Sequence, residues 1–373
     1  MQFSISKQKF VCSSCNTMGD METLTASIKE YDFDKYLERE KESVAFEGMA
    51  VVSCHNCGFE ISFDEHQVAT TCPMCSSTQI AATKQKGGIP PEGIIPFKID
   101  KKDAQQKFKQ WVKSRWFAPN DFKNKFGEGL LTGLYLPFWT YDAAAFSTFK
   151  GEGGNNRTVK DKDGKEKTVT DWFPVSGVVN AEFDDVQVCA SEKEKNIEGI
   201  LPYDTVHNAK PYAAEYLSGY YAEIYKIKAD QGFDTAKTIM EKEMQNLARD
   251  NILQQYDEAQ VHDVQTKYTN VTYKHVLLPL WSSAFGYKGE TYNYIVNGET
   301  GKVSGNRPYS MAKIAAAVIA VIIAVIIAFS LFSGNDDAYT YAELSYSVQE
   351  TAADHAYCLE QTSVIQNYEI GVM

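Results

Sequence analysis

Nineteen consecutive residues, Ile314 to Phe332 (IAAAVIAVIIAVIIAFSLF), carry one polar side chain, Ser330, and no charge. At about 1.5 Å per helical residue such a stretch reaches roughly 28 Å, close to the ~30 Å hydrocarbon core of a bilayer. A soluble core helix of this length keeps a polar face. A signal peptide is excluded by position, because the opening MQFSISKQKF has no apolar run. The reading is a transmembrane helix over 311–333.

Charge on the flanks orients it. Lys302, Arg307 and Lys313 precede the span, Asp336 and Asp337 follow it, and no Lys or Arg occurs from 333 to the end. The positive-inside rule then places the N-terminal side in the cytoplasm and an acidic tail, 334–373, outside a single-pass chain in the cell membrane. That tail holds seven of the 49 acidic residues, Cys358 and no basic one, in a chain whose net charge is −12. An acidic balance argues against a general affinity for nucleic acid. The 373 residues, 44% hydrophobic and 23% charged, are enough for two or three folded units.

Six of the eight cysteines fall in three CxxC pairs. Cys54, Cys57, Cys72 and Cys75 form C-x2-C-x14-C-x2-C, the spacing of four thiolates around one tetrahedral zinc. Between the pairs, FEISFDEHQVATT alternates polar and apolar residues as the strands of a zinc ribbon do. A ribbon is expected over 49–86 with one structural Zn2+ per chain, His55 and His66 being bystanders. Cys12 and Cys15, in a partial knuckle over 1–19, make half a site. Three readings stand: two free thiols, an intermolecular zinc joining a homo-oligomer, or a ribbon whose first half is missing. Residues 20–48 are acidic and read as a helical linker.

Residues 87–310 read as an α+β domain dominated by antiparallel strands. Within it two segments echo each other. One opens at Gly93-Ile94-Ile95-Pro96-Phe97 and ends at Leu136-Pro137-Phe138-Trp139. The other opens at Gly199-Ile200-Leu201-Pro202-Tyr203 and ends at Leu278-Pro279-Leu280-Trp281. The pattern suggests two repeated units, with helices from an Asp100 or Asp103 cap to about Phe117 and from Asp234 to about Tyr256. Turns are expected at Asp163-Gly164 and Gly298–Gly301.

Residues 98–126 hold nine Lys or Arg and three Asp, interleaved with Trp111, Trp116, Phe117, Phe122 and Phe126. Such a stretch suits phosphate contacts and base stacking, an anionic leaflet, or a solvated helix face over a core. No catalytic motif assembles: GxxxxGK[ST], GxSxG and HExxH are all absent, and the six histidines are scattered. Asp184-Asp185 and Asp161/Asp163 read as edge and turn carboxylates.

The order of these parts resembles one family. A CxxC knuckle, an acidic stretch and a CxxCG…CPxC ribbon lead to GIIPFKIDKKDA, GLYLPFWTYDA, LLPLW and NGETGKVSG, then one apolar span. This is similar to the bacterial TFIIB-type zinc-ribbon membrane proteins over about residues 8–332. The resemblance implies Cys54, Cys57, Cys72 and Cys75 as the intact site. It matches Cys12 and Cys15 to the second knuckle of an N-terminal ribbon whose first knuckle is absent, and it leaves out the tail. The expected function is a membrane-anchored scaffold that recruits a cytoplasmic protein. A membrane-tethered nucleic-acid binder, through the ribbon and the 98–126 patch, and an enzyme with an unrecognised site are the alternatives.

Overall fold

Leu136-Pro137-Phe138-Trp139 and Leu278-Pro279-Leu280-Trp281 lie in adjacent antiparallel strands, with Leu136 directly opposite Leu278. The computed structural model describes residues 2–332 apart from 13, 20–26, 42–43, 46–48, 57–58, 65–71, 73–74, 76, 78–79, 83–86, 126–130, 163, 193–196 and 218. Cys57, His66, Phe126, Asp163, His355, Cys358 and the tail 334–373 therefore lie outside the described residues. The chain divides into two units, Met1–Tyr309 and Ser310–Met373.

The first unit opens with three short antiparallel strands, Gln2–Ser4, Lys9–Val11 and Met18–Gly19. Helix α1 spans Tyr36–Lys41. Three strands of the cysteine region follow, β1 (Met49–Cys54), β2 (Glu60–Asp64) and β3 (Ile80–Ala82). Next come β4 (Gly93–Ile94), α2 (Lys101–Lys113), β5 (Thr132–Lys160) and β6 (Glu166–Cys189). The last set is β7 (Lys210–Pro211), β8 (Tyr221–Glu223), α3 (Ala229–Leu253), β9 (Glu258–Tyr287) and β10 (Glu290–Asn297). In the second unit, α4 covers Met311–Phe332. Its Met311–Phe329 stretch is long and apolar enough to cross a membrane.

One large sheet runs β7–β4–β9–β5–β8–β2–β1–β3, with β6 added to β5 and β10 to β9. Most pairings are antiparallel, while β4 on β9 and β8 on β5 are parallel. This is a mixed α+β architecture.

A local two-fold relates β4–α2–β5–β6 to β8–α3–β9–β10. Relative to the paired leucines, β4 joins β9 at Val276 and Leu277, and β8 joins β5 at Leu134 and Tyr135. The Trp139 indole donates to the Ile227 carbonyl at 2.8 Å, and the Trp281 indole to the Ile99 carbonyl at 2.9 Å. The Ala190 carbonyl accepts from the Lys226 and Ile227 amides, as the Gly298 carbonyl accepts from Lys98 and Ile99. Each tryptophan thus ties down the strand that leads into the other repeat's helix. Phe97-Lys98-Ile99 and Tyr225-Lys226-Ile227 are the matching residues.

The second repeat therefore starts at Tyr221 rather than at Gly199, where the motifs place it. Gly199 and Ile200 lie in a 3-10 turn, and Tyr203 donates its hydroxyl to the Pro279 carbonyl at 2.8 Å. The shared Gly-Ile-X-Pro-aromatic string reflects two different stretches, one opening in strand β4 and one in a 3-10 turn, that each end in a buried ring, Phe97 and Tyr203.

Helix α2 starts as expected, with the Asp100 carboxylate accepting from the Asp103 amide at 2.8 Å. It buries Ala104, Phe108 and Val112, four residues apart. Helix α3 begins at Ala229, a turn before the expected Asp234, because the Gln231 side chain accepts from the Lys228 amide and closes the first turn. Its buried stripe is Gly232, Ala236, Met240, Met244, Ala248 and Ile252. Each buried methionine contributes about 2 kcal/mol by leaving water. Gly232 lets the helix approach closely, since a Cβ there would collide with the Tyr141 hydroxyl.

Among its described residues the acidic linker is helical over a 3-10 turn, Phe33–Lys35, that runs into α1. It is held to the sheet by Tyr31–Asp32 pairing with Tyr273 and Thr272 of β9, and by the buried Tyr36 ring. Arg39 holds it too: its guanidinium sits over the Tyr31 ring, 3.5 Å from its centroid, and pairs with Glu92. Glu92 in turn accepts from the His275 amide at 2.6 Å.

Candidate metal centre

Each described knuckle closes in the same way. The amide of the first cysteine donates to the carbonyl five residues on: Cys12 to Thr17 at 2.9 Å, Cys54 to Phe59 at 2.9 Å, Cys72 to Ser77 at 2.8 Å. A CxxC sequence folds into this tight turn, which leaves thiols free to converge. Strands β1 and β2 pair from Met49–Asp64 to Ser53–Glu60, and β3 pairs with β1 from Val52–Ala82 to Cys54–Ile80. That pairing brings the 54 and 72 turns to one end of the small hairpin.

The sulfurs of Cys54, Cys72 and Cys75 lie within 4.8 Å of one another. Cys54 and Cys75 are 3.6 Å apart, and the Asn56 side chain donates to the Cys75 sulfur at 3.5 Å. Cys54 and Cys72 are each 1% exposed, packed with Phe59 and Ile61. Three soft donors, two of them buried, fit a metal ion, and the group could hold one. Cys57 lies outside the described residues. His55 is exposed and does not belong to the thiol group.

This hairpin extends the large sheet. Strand β2 pairs with β8 through Ser62–Ala222 and Ile61–Glu223, and Lys226 pairs with Glu60 at 2.5 Å. Residues read from sequence as knuckle, linker, ribbon and α+β domain all fall within the unit Met1–Tyr309.

Cys12 and Cys15 sit on the three-stranded sheet at the N-terminus, Cys15 exposed and 3.1 Å from the Thr17 hydroxyl. Backbone amides of Cys15 and Ser14 hold the Cys12 thiol down at about 7. Among the described residues no further Cys, His, Asp or Glu joins these two in a ligand group.

The 98–126 stretch is two-faced: Phe108, Val112 and Phe122 are buried, with Phe108 stacked on Tyr294 at 3.9 Å, while Lys98, Lys101, Lys102, Lys109 and Lys113 face solvent. Trp116 is exposed, and the Arg115 guanidinium lies 4.7 Å from the Trp111 ring. Of the carboxylate readings, the turn role of Asp161 stands and the edge role of Asp184-Asp185 changes. Asp161 serves its turn, accepting from the Lys165 amide at 2.9 Å. Asp184 is exposed, but Asp185 is buried, because a bulge turns it inward. Burial and neighbouring Asp142 and Asp185 push the Asp184 carboxyl up. Burial likewise raises Glu30, while Lys274 offsets part of the effect.

A curated protein from Bacillus subtilis (strain 168), "Uncharacterized protein YdjG", is 30% identical to this chain over 240 residues, 64% of this chain and 69% of the relative. No family model matches, and no solved structure matches.

Proposed function

The chain belongs to the family of that Bacillus protein, and from that premise we propose a membrane-anchored zinc-ribbon scaffold that recruits a cytoplasmic protein partner. One observation carries the reading. A group of three thiols, two of them buried, sits at the outer strands of the large sheet, in a chain that also has a 22-residue apolar helix. Cys54, Cys57, Cys72 and Cys75 hold the zinc, which fixes two turns and leaves the outer face of the hairpin to bind. Zinc supplies folding energy in such sites rather than chemistry. The resemblance to TFIIB-type zinc-ribbon membrane proteins supports the same assignment. Helix α4 anchors the protein in the cell membrane with its first unit in the cytoplasm, the side on which Lys302, Arg307 and Lys313 lie.

The test is crosslinking in native membranes, followed by affinity capture and mass spectrometry of the full-length protein and of Cys72→Ser. Capture of one reproducible cytoplasmic protein by the parent, lost in Cys72→Ser, is expected. Identical captures by both would remove the hairpin from the proposal. A membrane-impermeant thiol reagent checks the topology: Cys358 is expected to label in intact cells.

A further inference from the structure

At one level of the sheet the strand ladder breaks on both sides of Asp142. In the pairing of β5 with β6 the register shifts between Tyr141 and Ala143, so that Asp142 of β5 faces both Asp184 and Asp185 of β6. On β9 it shifts between Asp142 and Ala144, opposite Thr272 and Thr269. Asp185 and Asn270 take the left-handed conformation there, each with φ of 53°. In an unbroken strand the side chains of Asp184 and Asp185 would point to opposite faces. The bulge turns both toward Asp142, and carboxylate oxygens of all three lie within 4.8 Å of one another.

The Lys274 ammonium is 2.7 Å from Asp185 Oδ1 and 2.8 Å from Glu30 Oε1. It balances one charge among four acids. Two buried oxygens remain. Asp185, whose side chain is 2% exposed, has no hydrogen-bond partner for Oδ2 among the described residues. Thr140, 1% exposed, has none for Oγ1. Thr140 lies two residues before Asp142 on the same face of β5 and directly across from Lys274. A buried carboxylate oxygen and a buried hydroxyl without partners cost free energy that a ligand offering positive charge would recover.

We propose that Asp142, Asp184 and Asp185, with Glu30 and Thr140 beside them, bind a hard divalent cation of the calcium, magnesium and manganese class. All the donors are oxygens, the set that such ions select and that zinc-binding thiols do not supply. Asp184 is the solvent-facing member, so the ion enters from its side. The site is independent of the cysteines and of any partner of the ribbon. It ties β5, β6 and the segment around Glu30 together where the ladder hydrogen bonds are interrupted.

The test titrates Mn2+ into zinc-replete full-length protein in detergent and follows the free-ion EPR signal, with Ca2+ and Mg2+ as competitors. The parent is expected to hold one Mn2+ more tightly than Asp184→Asn does, by about tenfold or more. Ion sites that persist in Asp184→Asn lie elsewhere, for example on the acidic tail. Equal Mn2+ binding by parent and variant would overturn the proposal. If Asp184→Asn loses its native fluorescence, Lys274→Met replaces it, since it keeps every carboxylate and removes the resident cation. Tighter Mn2+ binding, displaced by Ca2+, supports the site. Unchanged or weaker binding shows a closed ion-pair network instead.

Discussion

The two halves related by the local two-fold share a core and differ at their edges. Both halves use a short strand, a helix, a long strand carrying LPxW and a return strand. Both return strands leave the ladder at the same place: Ala190 donates to the Pro137 carbonyl, and Gly298 to the Pro279 carbonyl. Helix α2 has 13 residues and α3 has 25. The extra length covers the arm in which β5, β6 and the first half of β9 run on together as far as Gly154. At the outer edge, β4 pairs with the two-residue β7, whereas β8 pairs with the cysteine hairpin. A duplicated framework thus offers two equivalent edge positions, and only one of them carries the thiols. The group that could hold a metal ion sits where the symmetry fails.

The strongest way to break the comparison is to remove the thiols. Cys72→Ser is expected to abolish bound metal, and hydrogen exchange should then accelerate in β1 and β2 while β4 and β7 stay protected. Structural zinc contributes on the order of 10 kcal/mol in isolated fingers, so this effect should exceed all others. Equal protection at both edges would mean that strand pairing alone holds the hairpin.

Next come the two tryptophans. Trp139→Ala and Trp281→Ala should each destabilise by about 3–5 kcal/mol in denaturant titration. Trp139 is fully buried and should cost more than Trp281, which is 5% exposed. The matched Trp→Phe pair removes only the indole hydrogen bonds, and each should cost about 1 kcal/mol. A large inequality within that pair would show that the cross-connections are not equivalent.

The residues beneath those rings are not equivalent either. Trp139 packs on His275 with ring centroids 4.9 Å apart, and Trp281 packs over Gly133. Burial holds the His275 ring neutral and its pKa down at about 4, from an ordinary 6.5. Between those values the unfolded chain binds more protons than the native one. The His275 contribution is therefore complete above pH 6.5 and is lost as pH falls toward 4, a change of about 3 kcal/mol. Thermal unfolding of the parent should weaken over that window, and His275→Gln should flatten the profile. Glu92 works in the opposite sense. Its carboxyl is raised by burial against the pull of Arg39, so its term declines as pH rises above the ordinary glutamate range.

The smallest effect distinguishes the helix starts. Asp100→Ala removes a side-chain cap and should cost about 1 kcal/mol. Lys228 occupies the matching position without a side-chain cap bond, so Lys228→Ala should lower the midpoint less.

Periodicity and spacing made several parts legible. Apolar length marks α4, the Asp100 cap marks α2, and the CxxC spacing marks the thiol group. Local composition failed where an equivalent residue looked different. Tyr221-Ala222 and Gly93-Ile94 share no side-chain signature, and only their hydrogen bonds to β5 and β9 identify them as counterparts. The carboxylates failed for another reason. Glu30, Asp142 and Asp184-Asp185 are far apart in sequence, and an alternating strand reading sends the last two to opposite faces.

What the sequence determined by itself were features carried within one stretch of chain: a span without charge, knuckles of two thiols, helices with an apolar stripe every fourth residue. These depend on backbone geometry that repeats over a few residues. Tertiary structure decided which stretches are partners. It placed Leu136 against Leu278, set the cysteine hairpin on β8, and gathered four acids around Lys274. Those outcomes turn on register and on two bulges, and a one-residue shift in either strand would send the same side chains to the other face.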